Sequence, residues 1–392
     1  MVAEGFIARK LRFQGNLAAS AIAVSFLIII VAVAVSGGFR SAIREGVSAL
    51  SGDVRIEPYA ASVGADPTPM PRHLPSERAI RALSGVTGIC PVAIRAGIVK
   101  SGDIVHGVVV KGIPDGAPAA PGEGEGASPL PVSIPHRLSE ITGLGVGDDL
   151  VTYFVGEKVR VRKFRITQVH RDLIEVDDNL LVYARLEDIQ RLNGWSAEEV
   201  SCLDISLRDR VRRKDVAGHI GYFLQTSDDP VENELYVSSC EDRYPQIFDW
   251  LGLLDMNVVV ILILMTVVAG FNMVSGLLIM LLRRIPAIGT LKTLGMNDKE
   301  IGRLFVRISA RAVLKGMLWG NALALLFCLV QGTTHLIPLD PANYFVSWVP
   351  VKVNLPWILL ADAVAFAGIL ALVWLPSRLV VSVDPAKTVK AD

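Results

Sequence analysis

What this chain lacks narrows its chemistry first. Its 392 residues contain no G-x-x-x-x-G-K-[ST] loop, no G-x-S-x-G elbow, no H-E-x-x-H pair and no C-x-x-C pair. Without the phosphate-cradling loop it does not hydrolyse ATP by that route, and the usual nucleophile and zinc signatures are missing as well. Gly122, Gly124 and Gly126 alternate with Glu123 and Glu125, so carboxylates stand where a phosphate site needs bare amides. The six histidines are scattered, with none four residues from another and none beside a cysteine, so no metal site is expected. Glu175, Asp177 and Asp178 form an acidic cluster that reads as a solvated turn, and no catalytic constellation emerges. Cysteine is scarce, at four residues; Cys202 and Cys240 are a disulfide if their segment is extracytoplasmic, or free buried thiols. Charge is balanced, 39 basic against 39 acidic side chains, which offers nothing to nucleic acid.

What is abundant is apolar surface: 51% of residues are hydrophobic and only 20% charged, and the charges avoid certain windows. Leu17 to Val35 is the first such window, too long for a signal-peptide core and therefore read as an uncleaved anchor. Met256–Leu282, Ala312–Val330 and Trp357–Leu375 complete four spans. Arg283, Arg284, Lys292, Lys299, Arg303, Arg307 and Arg311 follow the second span, whereas the loop between spans three and four holds only Lys352. The basic loop and both termini are therefore expected in the cytoplasm and the 40–250 insertion outside it. Lys315 and Asp362 lie near span ends, where snorkelling is cheap. Gly316 and Gly320 form a G-x-x-x-G on span three that permits close helix packing.

The pattern divides the chain into a cytoplasmic segment (1–16), span one with a stalk (17–50), an inserted domain (51–245) and a stalk with span two (246–282). A basic loop (283–311), span three (312–332), an outer loop (333–356), span four (357–377) and a tail (378–392) follow. The stalks are amphipathic: Phe39, Ile43, Val47 and Leu50 continue span one at helical spacing, and Ile247, Leu251 and Leu254 precede span two. Two such stalks bracketing one domain are expected to pair. The insertion alternates short strands and helices, including a helix from Ser76 as N-cap, strands at Ile94–Val99 and Ile104–Val110, and a Gly/Pro-rich loop over 115–130. It reads as an α+β domain of one or two subdomains, the loop dividing them.

One span, a large insertion and three further spans resemble the FtsX/MacB/Lol permeases of type VII ABC transporters, most of all the lipoprotein-releasing permeases LolC and LolE. The resemblance rests on Phe6–Leu11, Gly38-Phe39, Gly52-Asp53-Val54, Val110–Ile113, Leu144–Asp148, Val268–Asn272, Leu291–Met296, Pro376-Ser377-Arg378 and Asp384-Pro385-Ala386. It implies four transmembrane helices with a MacB-like periplasmic core domain between the first two. It also implies an inner-membrane location and no enzyme activity in this chain. The implied partners are a cytoplasmic ATPase dimer carrying ATP and Mg, a second permease subunit of the same or a related chain, membrane lipid, a lipoprotein substrate and a periplasmic lipoprotein chaperone.

By the same resemblance Arg283, Arg284, Ile288, Gly289, Leu291, Lys292, Leu294, Gly295 and Met296 form the coupling helix that docks on the ATPase. Ile28, Val31, Val259, Leu262 and Met265, on charge-free aliphatic faces of spans one and two, are the implied acyl-chain contacts, together with Phe39 of the first stalk. Two departures stand out. The coupling helix has no acidic residue in its first turn, where Pro286 is instead suited to start a helix. Val155-Gly156-Glu157-Lys158 leaves no room for the Pro-containing hook with which the LolC type grips its chaperone, so a LolE-like or homodimeric role fits better. MacB-like efflux, FtsX-like hydrolase activation and an ATPase-independent membrane-anchored sensor are the alternative functions.

Overall fold

The computed structural model describes residues 16–59, 67–101, 104–115, 117, 120–121, 129–156, 159–170, 180–208, 212–283, 290, 292–293, 295–340 and 344–379. Helix α1 (Asn16–Ser51) leads into β1 (Val54–Pro58), β2 (Met70–Pro71), α2 (Glu77–Ala82), β3 (Val86–Ser101), β4 (Ile104–Ile113), β5 (Leu130–Pro135) and α3 (His136–Thr142). Then come β6 (Asp149–Phe154), β7 (Arg160–His170), β8 (Leu180–Arg185), α4 (Leu186–Asn193), β9 (Glu199–Val200) and β10 (Cys202–Leu207). The insertion closes with α5 (Arg213–Gln225), α6 (Pro230–Asn233), β11 (Leu235–Ser239) and α7 (Cys240–Arg243). Three long helices end the chain: α8 (Pro245–Arg283), α9 (Asp298–Thr334) and α10 (Leu355–Leu379). Two compact units result, one of Met1–Ser41, Asp249–Asp340 and Ser347–Asp392, the other of Ala42–Phe248 with Pro341–Val346.

In the first unit, α1, α8, α9 and α10 are each long and apolar enough to cross a bilayer. Inside a bilayer, helices gain little from apolar burial against one another, so close backbone approach carries their association. The G-x-x-x-G of α9 supplies that approach. A Cβ on Gly316 would lie 2.6 Å from the Ile22 side chain, and one on Gly320 only 2.5 Å from the Ala23 carbonyl oxygen. Gly270 and Gly368 do the same between α8 and α10, against Leu372 and Thr266. Ile22, Phe26, Met273, Leu277, Val313, Ala365 and Ile369 fill the core between them.

Two features depart from the sequence reading. Helix α9 begins at Asp298, well before the expected span start at Ala312. Asn297 and Glu300 explain the early start, because the Asn297 amide donates to Glu300 Oε2 at 3.0 Å and closes the first turn. Asp362 does not snorkel; it is buried and accepts from Asn321 Nδ2 of α9 at 2.6 Å. Lys315 is exposed.

The inserted unit is built on one nine-stranded sheet in the order β11-β1-β10-β3-β4-β8-β5-β7-β6, with β6 returning to pair β3. The long strand β3 serves two neighbourhoods. Its first half, through Val92, pairs β10, and Ala93–Ser101 pairs β4. The β6 return closes β3, β4, β8, β5, β7 and β6 into a ring. The loop expected to divide the domain is thus not the divide; a shared strand joins its two parts. Most of 115–130 lies outside the described residues. Alternating inward side chains such as Val54, Ile56, Val108, Val110, Leu150, Phe154, Phe164 and Ile166 make a single core. Ser76 precedes α2 as expected but does not cap it: its amide and hydroxyl donate to Glu232 of α6 at 2.8 and 2.7 Å.

The glycine notch on α9 generates a paired prediction. Gly320→Ala forces α1 and α9 apart and is expected to cost about 1–3 kcal/mol. Gly218→Ala, on an α5 surface where a Cβ meets nothing within 4 Å, should stabilise by about 0.4–1 kcal/mol. Apparent melting midpoints in detergent decide it; equal midpoints for the two variants would rule out the notch.

Candidate functional site

The expected coupling stretch is partly described. Arg283 ends α8 exposed to solvent, and Thr290, Lys292 and Thr293 are helical. The Thr293 hydroxyl donates to the Thr290 carbonyl at 2.8 Å. Gly295 stops this turn in the left-handed region, φ +89°, its amide donating to the Lys292 carbonyl at 3.0 Å. That conformation is the ordinary reason for glycine after a helix. Met296 turns back and packs against the core of the membrane unit. Arg284, Ile288, Gly289, Leu291 and Leu294 lie outside the described residues.

The expected acyl-chain residues do not share one surface. Val31, Leu262 and Met265 are half-buried against the core of the membrane unit, and Ile28 is half-buried too. Val259 faces outward, 56% exposed, in an apolar face with Val260, Ile263 and Leu264. Phe39 is buried, edge-on to Trp250 with ring centroids 5.6 Å apart. That ring pair belongs to the junction of the two stalks, where Asp255 of α8 also accepts from Ser36 at 2.8 Å and pairs with Arg40. Nearby, the Lys352 amide donates to the Ala34 carbonyl at 3.0 Å, and Lys352 Nζ to Ser41 at 2.7 Å. Gly38 permits this strap, since a Cβ there would strike the Pro350 carbonyl oxygen at 2.2 Å.

Sequence reasoning missed a second constellation, where α1 ends inside the inserted domain. A helix end leaves carbonyls without partners, and its dipole favours cations there. Lys111 Nζ of β4 donates to the Leu50 carbonyl at 2.8 Å. Arg243 of α7 donates to the Ser51 carbonyl at 2.8 Å and to that of Gly52 at 3.3 Å. Gly52 turns the chain at φ +67°, and a Cβ there would sit 2.9 Å from Asp204 Cβ. Asp204 bridges Lys111 at 2.8 Å and Arg55 Nε at 2.7 Å. Asp53 accepts from Ser48, from Arg213 of α5 and, at 2.7 Å, from the Leu207 amide. Arg243 stands two residues before α8 begins, so one guanidinium joins the end of the first stalk to the root of the second.

The electrostatics match that geometry. Burial pushes the Asp204 carboxyl up, but Arg55 and Lys111 override it and hold it well below the usual carboxylate range. Cys202 and Cys240 are buried free thiols beside this cluster. Burial pushes Cys202 up to about 12 and Cys240 up to about 11, so both stay neutral and unreactive. The arrangement fixes two stalks to one sheet. Lys111 follows the core residue Val110, and Asp204 stands between the core residues Leu203 and Ile205, so both lie on the face of the sheet opposite the main core, where no local pattern in the sequence marks them.

Residues 259–385 match the FtsX-like permease C-terminal domain family. The lipoprotein-releasing system transmembrane protein LolC of Xylella fastidiosa is 22% identical, over 95% of this chain and 92% of its own. LolE of Haemophilus influenzae is 21% identical, over 94% and 92%. Among solved structures, the periplasmic region of MacB from Actinobacillus actinomycetemcomitans aligns with 50% of this chain and 91% of its own, at TM-score 0.32 and 11% identity. The extracellular domain of the noncanonic ABC-type transporter YknZ from Gram-positive bacteria aligns with 47% and 99%, at TM-score 0.29 and 11% identity.

Two outcomes follow from the cluster. Asp204→Asn leaves Lys111 and Arg55 buried without their carboxylate and is expected to cost about 3–5 kcal/mol. The Asp204 carboxyl is depressed on folding, so its contribution is complete above the unfolded value of about 3.9 and is lost as pH falls below it. The wild-type acid-unfolding limb, followed by circular dichroism, should therefore be steeper than that of Asp204→Asn. Cys202 and Cys240 should resist alkylation until the chain is unfolded; a Cys202–Cys240 cross-linked peptide in the mass spectrum would refute the free-thiol state.

Proposed function

We propose, from its similarity to the FtsX-like permease C-terminal domain over residues 259–385 and to LolC and LolE, that this chain is the permease subunit of an inner-membrane lipoprotein-releasing transporter. A separate cytoplasmic ATPase dimer binds ATP and Mg and moves the coupling turn around Lys292–Met296. The stalks carry that movement to the periplasmic domain, which works on a lipoprotein being drawn out of the membrane. The observation that carries the reading is the root shared by both stalks. Helix α1 is one unbroken helix of 36 residues, about 54 Å long against a hydrocarbon core of about 30 Å. Its end is held by Lys111 and by Arg243 at the root of α8. A plain tether needs neither a helix that outruns the bilayer nor ionic fixation at its end.

Lipoprotein as cargo is supported by the names of the two curated relatives. The outward apolar face of α8 around Val259 and Ile263 gives acyl chains, lipid or a second permease copy a surface without charge. One observation favours a second reading. Strands β6 and β7 are joined by residues 155–159 alone, a hairpin too short for a chaperone-gripping hook. A transmitter acting on another periplasmic partner, as in MacB-like or FtsX-like roles, uses the same stalks without it.

Affinity purification of the full chain from its native membrane tests the reading. A P-loop ATPase should co-purify and be lost with Leu294→Asp or Gly295→Asp, and photo-crosslinkers at Val31 and Met265 should yield lipoprotein adducts. If no ATPase accompanies the protein and both Asp variants support normal lipoprotein release, the coupling reading fails. Adducts missing at both positions, with the ATPase present, would favour the second reading.

A further inference from the structure

The cytoplasm-directed half of α9 carries a pattern that the transporter reading does not use. Lys299, Arg303, Arg307, Arg311 and Lys315 recur at every fourth residue, and all five are exposed. Between them Leu304, Phe305, Ile308, Ala312 and Val313 are buried in the membrane unit. At 3.6 residues per turn, a four-residue step advances only about 40° around the helix, so the five cations form one slowly winding stripe about 24 Å long. Arg303 donates to the Lys299 carbonyl, and among the described residues Arg303, Arg311 and Lys315 have no ion-pair partner.

The far end of the stripe identifies its partner. The exposed side continues without a break into Leu318, Trp319, Leu323 and Leu326, which are 61%, 62%, 47% and 58% exposed. Such a surface is solvated by lipid tails. Lys315 lies one turn from Trp319, and Arg311 one turn further. The stripe therefore meets the bilayer where tails give way to headgroups. The acidic face of a water-soluble protein could reach Lys299 and Arg303 but not Lys315 beside exposed Leu314 and Leu318. Phospholipid phosphates reach all of them, and a guanidinium matches a phosphate with paired donors.

We propose that Arg303, Arg307, Arg311 and Lys315 form a binding stripe for the phosphate groups of anionic phospholipids in the leaflet that α9 enters first. The inference rests on α9 crossing a bilayer and not on the identity of the cargo or the ATPase. Bound headgroups would fix the height of α9 in the membrane, and with it the coupling turn three residues before the helix begins.

The test uses the purified full chain, without any ATPase, in nanodiscs of phosphatidylcholine alone or mixed with phosphatidylglycerol. Native mass spectrometry after release counts retained phosphatidylglycerol. The wild type should retain it in preference to phosphatidylcholine, and less so as ionic strength rises. A combined Arg303→Gln, Arg311→Gln, Lys315→Gln chain should bind about fivefold more weakly per cation removed. Lys replacements at the two arginines should recover most of the preference. An unchanged melting midpoint in phosphatidylcholine would establish that the Gln variant is folded. Equal retention of the two lipids by the wild type, or undiminished retention by the folded Gln variant, overturns the proposal. A Gln variant that keeps its lipid yet loses a co-purifying ATPase also overturns it, and reassigns the stripe to protein docking.

Discussion

The carbonyl end of α1 imposes the condition on which the inserted domain depends. A helix that ends in water leaves its last carbonyls to solvent; this one ends inside protein, so donors must be brought to it. They come from positions far apart in the chain, Lys111 on β4 and Arg243 on α7. The buried Lys111 then needs an anion, and Asp204 supplies it while also holding Arg55. Asp53, one residue past the turn, is engaged in turn by Arg213 and the Leu207 amide. Buried ion pairs are weak contributors to net stability, because desolvation offsets most of the attraction. Their effect is to exclude alternatives. A shift of β1 by one residue against β10 would strand Arg55 and Asp204 on opposite faces of the sheet.

Within the membrane unit the same problem of specificity is met without charge. The notches at Gly316, Gly320, Gly270 and Gly368 let helices touch backbone to side chain, and the Asn321–Asp362 hydrogen bond joins α9 to α10. Along α1 the type of contact therefore changes with height. Glycine notches hold its apolar half, the Phe39–Trp250 ring pair and the Asp255 contacts hold its stalk, and the ion cluster holds its end. Each set suits its surroundings, since a salt-bridged cluster in lipid would lack solvating partners and a glycine notch in water would bury little.

Much of this was legible in the residues. Long charge-free windows mark the spans because only a bilayer solvates such surfaces. Alternation in Val54–Pro58 and Leu150–Phe154 marks strands, and the apolar spacing of the stalks announced that they pair. The strand order was not legible. Nothing local in Val86–Ser101 says that one half pairs β10 and the other β4. The ion cluster was hidden for a related reason: its members at 53, 55, 111, 204, 213 and 243 are ordinary charged residues until the sheet collects them. The start of α9 was not legible because hydropathy finds the apolar centre of a helix, whereas its beginning depends on two polar side chains, Asn297 and Glu300.

The beginning of α9 also sets how the turn before it is held. In the sequence, the expected coupling stretch follows span two. In the structure the stretch ends at Gly295 and Met296, and Asn297 follows directly before α9. The left-handed glycine fixes one side of this corner, the Asn297–Glu300 closure fixes the other, and Met296 is packed into the core. The corner before α9 is therefore held on both sides. Helix α9 touches α1 at Gly316 and Gly320, and α1 runs unbroken to its ionic root at Ser51. Glycine notches thus join α9 to α1 within the membrane unit, and the ion cluster holds the far end of α1 within the inserted one.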